Sequence, residues 1–192
     1  MARRTYPALA PAFVASVFVF AAVAFAVPAS AAPPASQRRE GSAAVALARL
    51  AALTGEWEGS FEWTGGRTTR GAMNARYFTT GNGSAVVENL IMDGVPSMTT
   101  VYHADGPDLR MTHYCAARNQ PRLKASRIDL ATGVIDFAFV DATNLTAPDA
   151  PHVTGLEVRF DDEDHVALTF LFEGGGKPAR ERISLHRARP KA

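Results

Sequence analysis

The segment Leu53-Thr-Gly-Glu-Trp-Glu-Gly-Ser-Phe-Glu-Trp63 is the first strongly alternating part of the chain. Side chains along a strand point to opposite faces in turn. Trp57, Phe61 and Trp63 therefore share one face, and three glutamates share the other. This division is typical of a half-buried antiparallel strand. Gly59 lies on the aromatic face, which indicates that another backbone or a large side chain crosses there.

Around this strand the sequence predicts one short helix and about nine further strands. The Ala-rich run from Ser42 to Leu53 favours a helix that Gly55 ends. Turn signals such as Gly81-Asn-Gly83 separate the later strands, because glycine and asparagine tolerate positive φ. We therefore predict an all-β fold, an up-and-down antiparallel barrel of about ten strands. A sandwich would need several long crossovers, and only the loop 141–151 is a candidate for one.

The N-terminus has the pattern of a secretory signal peptide. Arg3 and Arg4 precede an apolar run, and Pro28-Ala-Ser-Ala31 supplies the small residues of a cleavage site. A membrane anchor is the alternative, since the run approaches the roughly 20 residues that span a bilayer. Pro28 and the small residues favour cleavage after Ala31. We therefore expect a periplasmic or secreted protein with no stable membrane anchor after cleavage.

This pattern divides the chain into a signal peptide at 1–31, a flexible linker at 32–41 and a barrel domain at 42–192. Loss of the first segment removes two arginines and changes the formal net charge from +1 to about −1. A nucleic-acid partner is not expected, because such binding normally needs a basic face. Cys115 is the single cysteine, so it is either a free thiol or paired with another chain, and we expect it to be free and buried. The oligomeric state is not indicated.

Gly55-x-Trp57 at the start of the first strand, together with a basic residue in the last strand, resembles the lipocalin-like (calycin) superfamily. The resemblance implies a lipocalin-like barrel in which the Trp packs at the closed end under an arginine. Arg182 or Arg187 could supply that arginine. Gly55 and Trp57 are then structural residues.

A second likeness lies in Thr100-Val-Tyr-His103 and Leu109-Arg-Met-Thr-His-Tyr-Cys-Ala-Ala-Arg-Asn-Gln-Pro-Arg122. These segments look like a signature of exported bacterial barrel proteins to which no activity is assigned. Strand count and the Gly-x-Trp start give a more distant likeness to nitrobindin, a ten-stranded haem-binding barrel. The closing Ile183-Ser-Leu-His-Arg187 departs from that family's C-terminal pattern, so His186 is not a supported haem ligand. The sequence does not identify a cofactor. Haem bound by a single histidine is one alternative, and His113 is the first candidate for its ligand.

Two ionisable residues fall on faces that alternation turns inward. His113 shares a face with Met111 and Cys115, and Glu88 shares one with Val86. Neither can stay unpaired in an apolar interior without a cost of several kcal/mol. They could anchor a ligand in a cavity, hold neighbouring strands in register, or form a general base with its orienting group.

The loop after the fifth strand places further polar groups at a predicted barrel mouth. Such groups suit hydrogen bonding to a carboxylate or a sugar, although the composition favours a solvated loop. We predict no catalytic residue, and the histidines show no metal-ligand spacing. The predicted ligand-binding set is His113, Glu88, Met111, Tyr102, Arg118, Asn119, Gln120 and Arg122.

Taken together, these patterns predict an exported barrel that binds an apolar or amphipathic small molecule and carries no catalytic signature. An enzyme is not expected. The alternatives are a haem-binding barrel, an enzyme that uses the inward pair of His113 and Glu88, and a filled barrel that serves protein interaction through its loops.

Overall fold

The computed structural model describes residues 35–189, with side chains from residue 42 onward. The predicted signal peptide therefore lies outside the described residues. Helix α1 covers Ala35–Ala51. It begins within the segment predicted as a linker and not at Ser42, because Gln37-Arg-Arg-Glu40 is made of good helix formers.

Ten strands follow the helix, and each pairs antiparallel with the next one in the chain. Tight turns join most of them, and residues such as Asn82 (φ 57°) and Asp93 (φ 51°) adopt the left-handed conformation there. The strands are β1 (Gly55–Gly65), β2 (Arg70–Thr80), β3 (Ala85–Met92), β4 (Val95–Asp105), β5 (Asp108–Tyr114), β6 (Gln120–Asp129), β7 (Val134–Thr143), β8 (His152–Phe160), β9 (His165–Glu173) and β10 (Ala179–Arg187).

The sheet closes into a barrel because β1 also pairs with β10. The predicted ten-stranded antiparallel barrel is thus confirmed. The loop 141–151 joins neighbouring strands and is not a crossover. A Cβ atom at Gly59 would collide with the backbone of Ser184, so the close approach predicted at this glycine is made by β10.

The direction of the strands defines two ends of the barrel. β1 starts directly after α1, and successive strands run in opposite directions, so α1 and the loops after even-numbered strands share one end, the helix end. The loops after odd-numbered strands share the opposite end, which we call the mouth. The mouth loops are 66–69, 93–94, 115–119, 144–151 and 174–178.

Helix α1 covers the helix end with its apolar face. Ala43, Ala46 and Leu50 have no exposed surface, and Leu53, just after the helix, is also buried. The helix contacts β2 to β6 through this face. Burying one leucine side chain contributes about 1.5–3 kcal/mol, so the helix is held in place by packing and not by its own propensity.

The inner face of the barrel follows the predicted alternation. Trp57 is buried, whereas Glu56, Glu58 and Glu62 of the same strand are exposed. The interior side chains form one continuous core with the helix. Its largest fully buried members on the strands are Trp57, Tyr77, Tyr102, Phe170, Met73, Leu90, Leu109, Met111, Leu123 and Ile135.

Candidate functional site

A row of polar side chains crosses the interior on four neighbouring strands. Tyr77 lies opposite Glu88, Glu88 opposite Thr100, and Thr100 opposite His113. Directly opposite residues have Cβ atoms about 5 Å apart, which is within reach of hydrogen bonding between side chains. The register of β2 to β5 therefore brings together groups that are far apart in the sequence.

Glu88 is the acceptor at the centre of this row. It accepts hydrogen bonds from the hydroxyls of Tyr77 (2.8 Å), Tyr102 (3.1 Å) and Thr100 (3.1 Å). Burial raises the pKa of Glu88, and the three hydrogen bonds oppose that shift. Burial, with the charge of Glu88 beside them, raises the pKa of both tyrosines, so they remain donors.

The row fixes the tautomer of His113. Burial lowers the pKa of His113 to about 4, so its imidazole is neutral at neutral pH. When Glu88 is ionised, Thr100 donates its one hydroxyl hydrogen to it, and the Thr100 oxygen, 2.9 Å from His113 Nδ1, accepts a hydrogen bond from that nitrogen. Nε2 is left as a bare acceptor and has no hydrogen-bond partner among the described residues. The ring packs against Phe170, with centroids 4.9 Å apart.

The burial of this row suits a role in holding strands together better than a role in binding a ligand. Glu88, Thr100, His113 and Tyr102 have no exposed surface. A ligand could reach them only if neighbouring side chains moved. Hydrogen bonds among buried groups of this kind fix one strand register.

An accessible cavity lies above this row, at the mouth. Its volume is about 400 Å³, within the range of about 300–1,000 Å³ that is usual for ligand sites. Trp63, Met98, Cys115 and Phe172 supply much of its apolar wall, and Arg67 and Lys177 add two cations. The rings of Trp63 and Phe172 lie 4.7 Å apart between centroids.

Cys115 lines this cavity as a free thiol. It is half-buried, and burial is the main cause that raises its pKa. The neutral thiol predominates at neutral pH, so Cys115 is not an activated nucleophile.

Beneath the cavity lies a layer made of the next inward-facing residue after each of five wall residues, and none of this layer lines the cavity itself. These residues are Phe61 beneath Trp63, Thr100 beneath Met98, His113 beneath Cys115, Phe170 beneath Phe172, and Glu181 beneath Ala179. We call these five residues the floor layer. It separates the cavity from Glu88 and the deeper core.

Glu181 is the ionisable residue of the floor layer that sequence reasoning missed. Only 1% of its surface is exposed. Burial raises its pKa to about 7, while a hydrogen bond from Trp63 and the charge of Arg67 oppose the shift. Its Oε2 atom has no hydrogen-bond partner among the described residues. The sequence pattern could have identified Glu181, because it shares one face of its strand with Ala179, Ile183 and Leu185, just as Glu88 shares one with Val86 and Leu90.

The structure separates the predicted ligand-binding residues into two groups. His113, Glu88, Met111 and Tyr102 lie together in the interior, each no more than 1% exposed. The four residues of the loop and of β6 do not join them.

These four residues lie around the mouth or on the outer wall. Arg118 is exposed, with φ 64° in its turn. Asn119 is buried, and its amide donates to the carbonyl of Pro151 at 2.9 Å. Gln120 accepts from Thr143 at 2.9 Å, and Arg122 pairs with Asp141 on the outer face. The cavity wall is formed instead by Cys115, Ala116 and Ala117 of this segment.

Of the two arginines that the resemblance offered for the closed end, Arg187 lies over Trp57, 4.5 Å from the ring centroid. Arg182 points outward and is exposed. The indole of Trp57 donates to the carbonyl of Leu53 at 2.7 Å. Gly55 has φ 132°, and a Cβ there would lie 3.2 Å from the Arg187 guanidinium, so glycine suits both the backbone and the close contact.

The geometry does not fit haem at either histidine considered. His186 faces outward and lies 3.4 Å from Glu58. His113 has a bare Nε2, but its surface is fully covered in this conformation. Among the described residues no group of three or more His, Cys, Asp or Glu side chains could hold a metal ion. No helix within 35–189 is long and apolar enough to cross a membrane.

Comparison with protein-family models and with curated proteins finds no match. Among solved structures, the chain is similar to Rv2717c from M. tuberculosis, with 21% identity over 75% of this chain and 98% of that one, and a TM-score of 0.48. It is also similar to a redesigned β-barrel, with 13% identity over 73% of this chain and 96% of that one, and a TM-score of 0.33. These likenesses are too distant to carry an argument about function, and the barrel itself rests on the strand pairing described above.

Proposed function

We propose that this protein is a binding barrel for a small apolar or amphipathic molecule, and that the ligand occupies the mouth cavity. The observation that carries the proposal is the cavity of about 400 Å³ walled by Trp63, Met98, Cys115 and Phe172. Aromatic and sulfur-bearing side chains favour apolar ligands. Arg67 and Lys177 give the cavity a polar edge that an amphipathic molecule could use.

The proposed kinship is with the lipocalin-like (calycin) superfamily of barrels. It is supported by Gly55-x-Trp57 at the start of β1 and by the contact of Arg187 with the Trp57 ring. We also propose export to the periplasm or the exterior, on the basis of the charged, apolar and small-residue pattern of residues 1–31.

Calorimetric titration with 2-methoxynaphthalene, a compact apolar probe, tests the proposed function. We expect one molecule to bind per chain. Ala179→Phe should weaken binding about tenfold or more, because the ring occupies the cavity that Ala179 lines. Ala138→Phe adds the same ring on the exposed outer face of β7 and should leave binding unchanged.

A complementary measurement is native mass spectrometry of the protein purified from its own host, in which a bound small molecule should be seen. The proposal is wrong if neither this probe nor its hydroxyl analogue 2-naphthol binds, or if both phenylalanine variants bind the probe as tightly as the wild type does.

A further inference from the structure

We propose that the ligand of the mouth cavity carries a neutral hydrogen-bond donor, a hydroxyl or an N–H group, and that Glu181 Oε2 accepts this bond from the floor layer. The inference rests on the proposed function and narrows the class of ligand from any small apolar molecule to one with a donor at its buried end.

The first observation is the position of Glu181. It faces inward directly beneath Ala179, which lines the cavity, and it lies opposite Trp63 on β1 and Phe170 on β9. A carboxyl group at this depth is costly unless its oxygens accept hydrogen bonds.

The second observation is that this requirement is met only in part. Trp63 lies opposite Glu181 and lowers the pKa of its carboxyl group, but Oε2 has no partner within residues 35–189. Buried polar atoms of folded proteins are nearly always hydrogen-bonded, so an unpaired one beneath a cavity points to a missing donor. We assign this donor to the molecule bound in the cavity.

Another residue of the floor layer also presents an unpaired hydrogen-bond acceptor. His113 Nε2 is a second unpaired acceptor, because Thr100 holds the proton on Nδ1. Phe61 and Phe170 complete the layer with apolar surface. When Glu181 is ionised, the floor offers two unpaired acceptors and no unpaired donor among its described side chains, which favours a ligand that donates.

The charges at the edge of the cavity favour a neutral ligand over a cation. Arg67 lies over the Trp63 ring at 4.8 Å, and Lys177 also lines the cavity. A cationic ligand would pass these two like charges on its way in. Glu181 does not itself line the cavity and is covered in this conformation, so a ligand reaches Oε2 only when a wall side chain moves. We infer that Arg67 is the side chain that moves, because it is exposed and its charge acts on Glu181.

The test compares 2-naphthol with 2-methoxynaphthalene, since the two differ in the hydroxyl donor and a methyl group. Calorimetry at pH 8 keeps Glu181 ionised and the naphthol neutral. We expect the wild type to bind 2-naphthol about tenfold or more tighter, the usual gain from a hydrogen bond to a charged group.

Glu181→Leu should reduce this preference to about twofold or less, because the acceptor is removed. Glu181→Gln, which nearly preserves the shape, should give an intermediate preference and guards against a variant that fails to fold. Glu62→Leu removes a carboxylate from the exposed outer face of β1 and should keep the full preference.

The outcomes distinguish the two proposals. Equal binding of both probes by the wild type, or an undiminished preference in Glu181→Leu, overturns the role of Glu181 while the apolar cavity stands. Failure of both probes to bind overturns the proposed function and, with it, this inference.

Discussion

Arg187, the last residue of β10, lies across the ring of Trp57, near the start of β1, at 4.5 Å from the ring centroid. Its guanidinium also donates to the carbonyls of Thr54 (3.1 Å), Ala52 (3.2 Å) and Glu163 (3.2 Å). One side chain thus ties the end of the barrel domain to the turn after α1 and to the turn between β8 and β9.

Replacing Arg187 by alanine should destabilise the fold by about 2 kcal/mol, through loss of the cation–π contact and of hydrogen bonds to those carbonyls. Urea unfolding followed by circular dichroism measures the change. Arg182→Ala, on the exposed face of the same strand, is the matched control and should stay within about 0.5 kcal/mol of the wild type. Equal losses in the two variants would show that Arg187 contributes only surface charge.

Glu88→Leu should cost about 3 kcal/mol or more, because three buried hydroxyls lose their acceptor at once. Adding Tyr77→Phe and Tyr102→Phe to this variant should recover part of the loss, since it removes two of the unpaired hydroxyls. Urea unfolding of the single and triple variants gives the two free energies of unfolding to be compared. Additive losses with no recovery would contradict a hydrogen-bonded role for Glu88.

Glu181 should make the protein less stable as the pH rises. Its folded-state pKa is about 7, above the ordinary value of 4.5, so the folded state binds its proton more tightly than the unfolded state does. The stabilisation from that proton is complete below about pH 4.5 and is lost by about pH 7, a change of about 3 kcal/mol. Glu181→Gln lacks this contribution but keeps that of His113. The difference in free energy of unfolding between the wild type and this variant should therefore change by about 3 kcal/mol from pH 4.5 to 7.

His113 should act in the opposite direction over a similar range. Its pKa is lowered from 6.5 to about 4, so the unfolded state takes up a proton first as the pH falls. The neutral imidazole stabilises the fold above about pH 6.5, and this contribution disappears by about pH 4. Nitrogen-15 NMR should show a proton on Nδ1, none on Nε2, and no titration of His113 above about pH 5. A His113 signal that titrates near 6.5 would contradict its buried, neutral state.

Alternation within single strands predicted much of this structure. It placed Trp57, Glu88 and His113 on inward faces, and the turn signals gave the number of strands. The pairing of Glu88 with Tyr77 and Thr100 could not be predicted, because register between strands depends on the geometry of every turn and bulge. Local periodicity carries no such information.

The loop at the mouth was harder to interpret for a local reason. Arg118 lies in a left-handed turn, and Pro121 and Leu123 take the inner face of β6, so Arg122 must point outward. The lining of the cavity was missed because it is made of residues from four strands and several loops. No local pattern in the sequence shows that these separate segments meet.

The pairing of β1 with β10 also governs how the chain can mature. During synthesis one edge of β1 stays unpaired until β10, which ends at Arg187, has been made, because β10 is the strand that pairs with that edge. Open edges recruit strands from other molecules, so a chain shortened before β10 should form aggregates in place of a smaller barrel. Synthesis of β10 is therefore the step after which an aggregation-prone, partly folded chain can close into a barrel without exposed sheet edges.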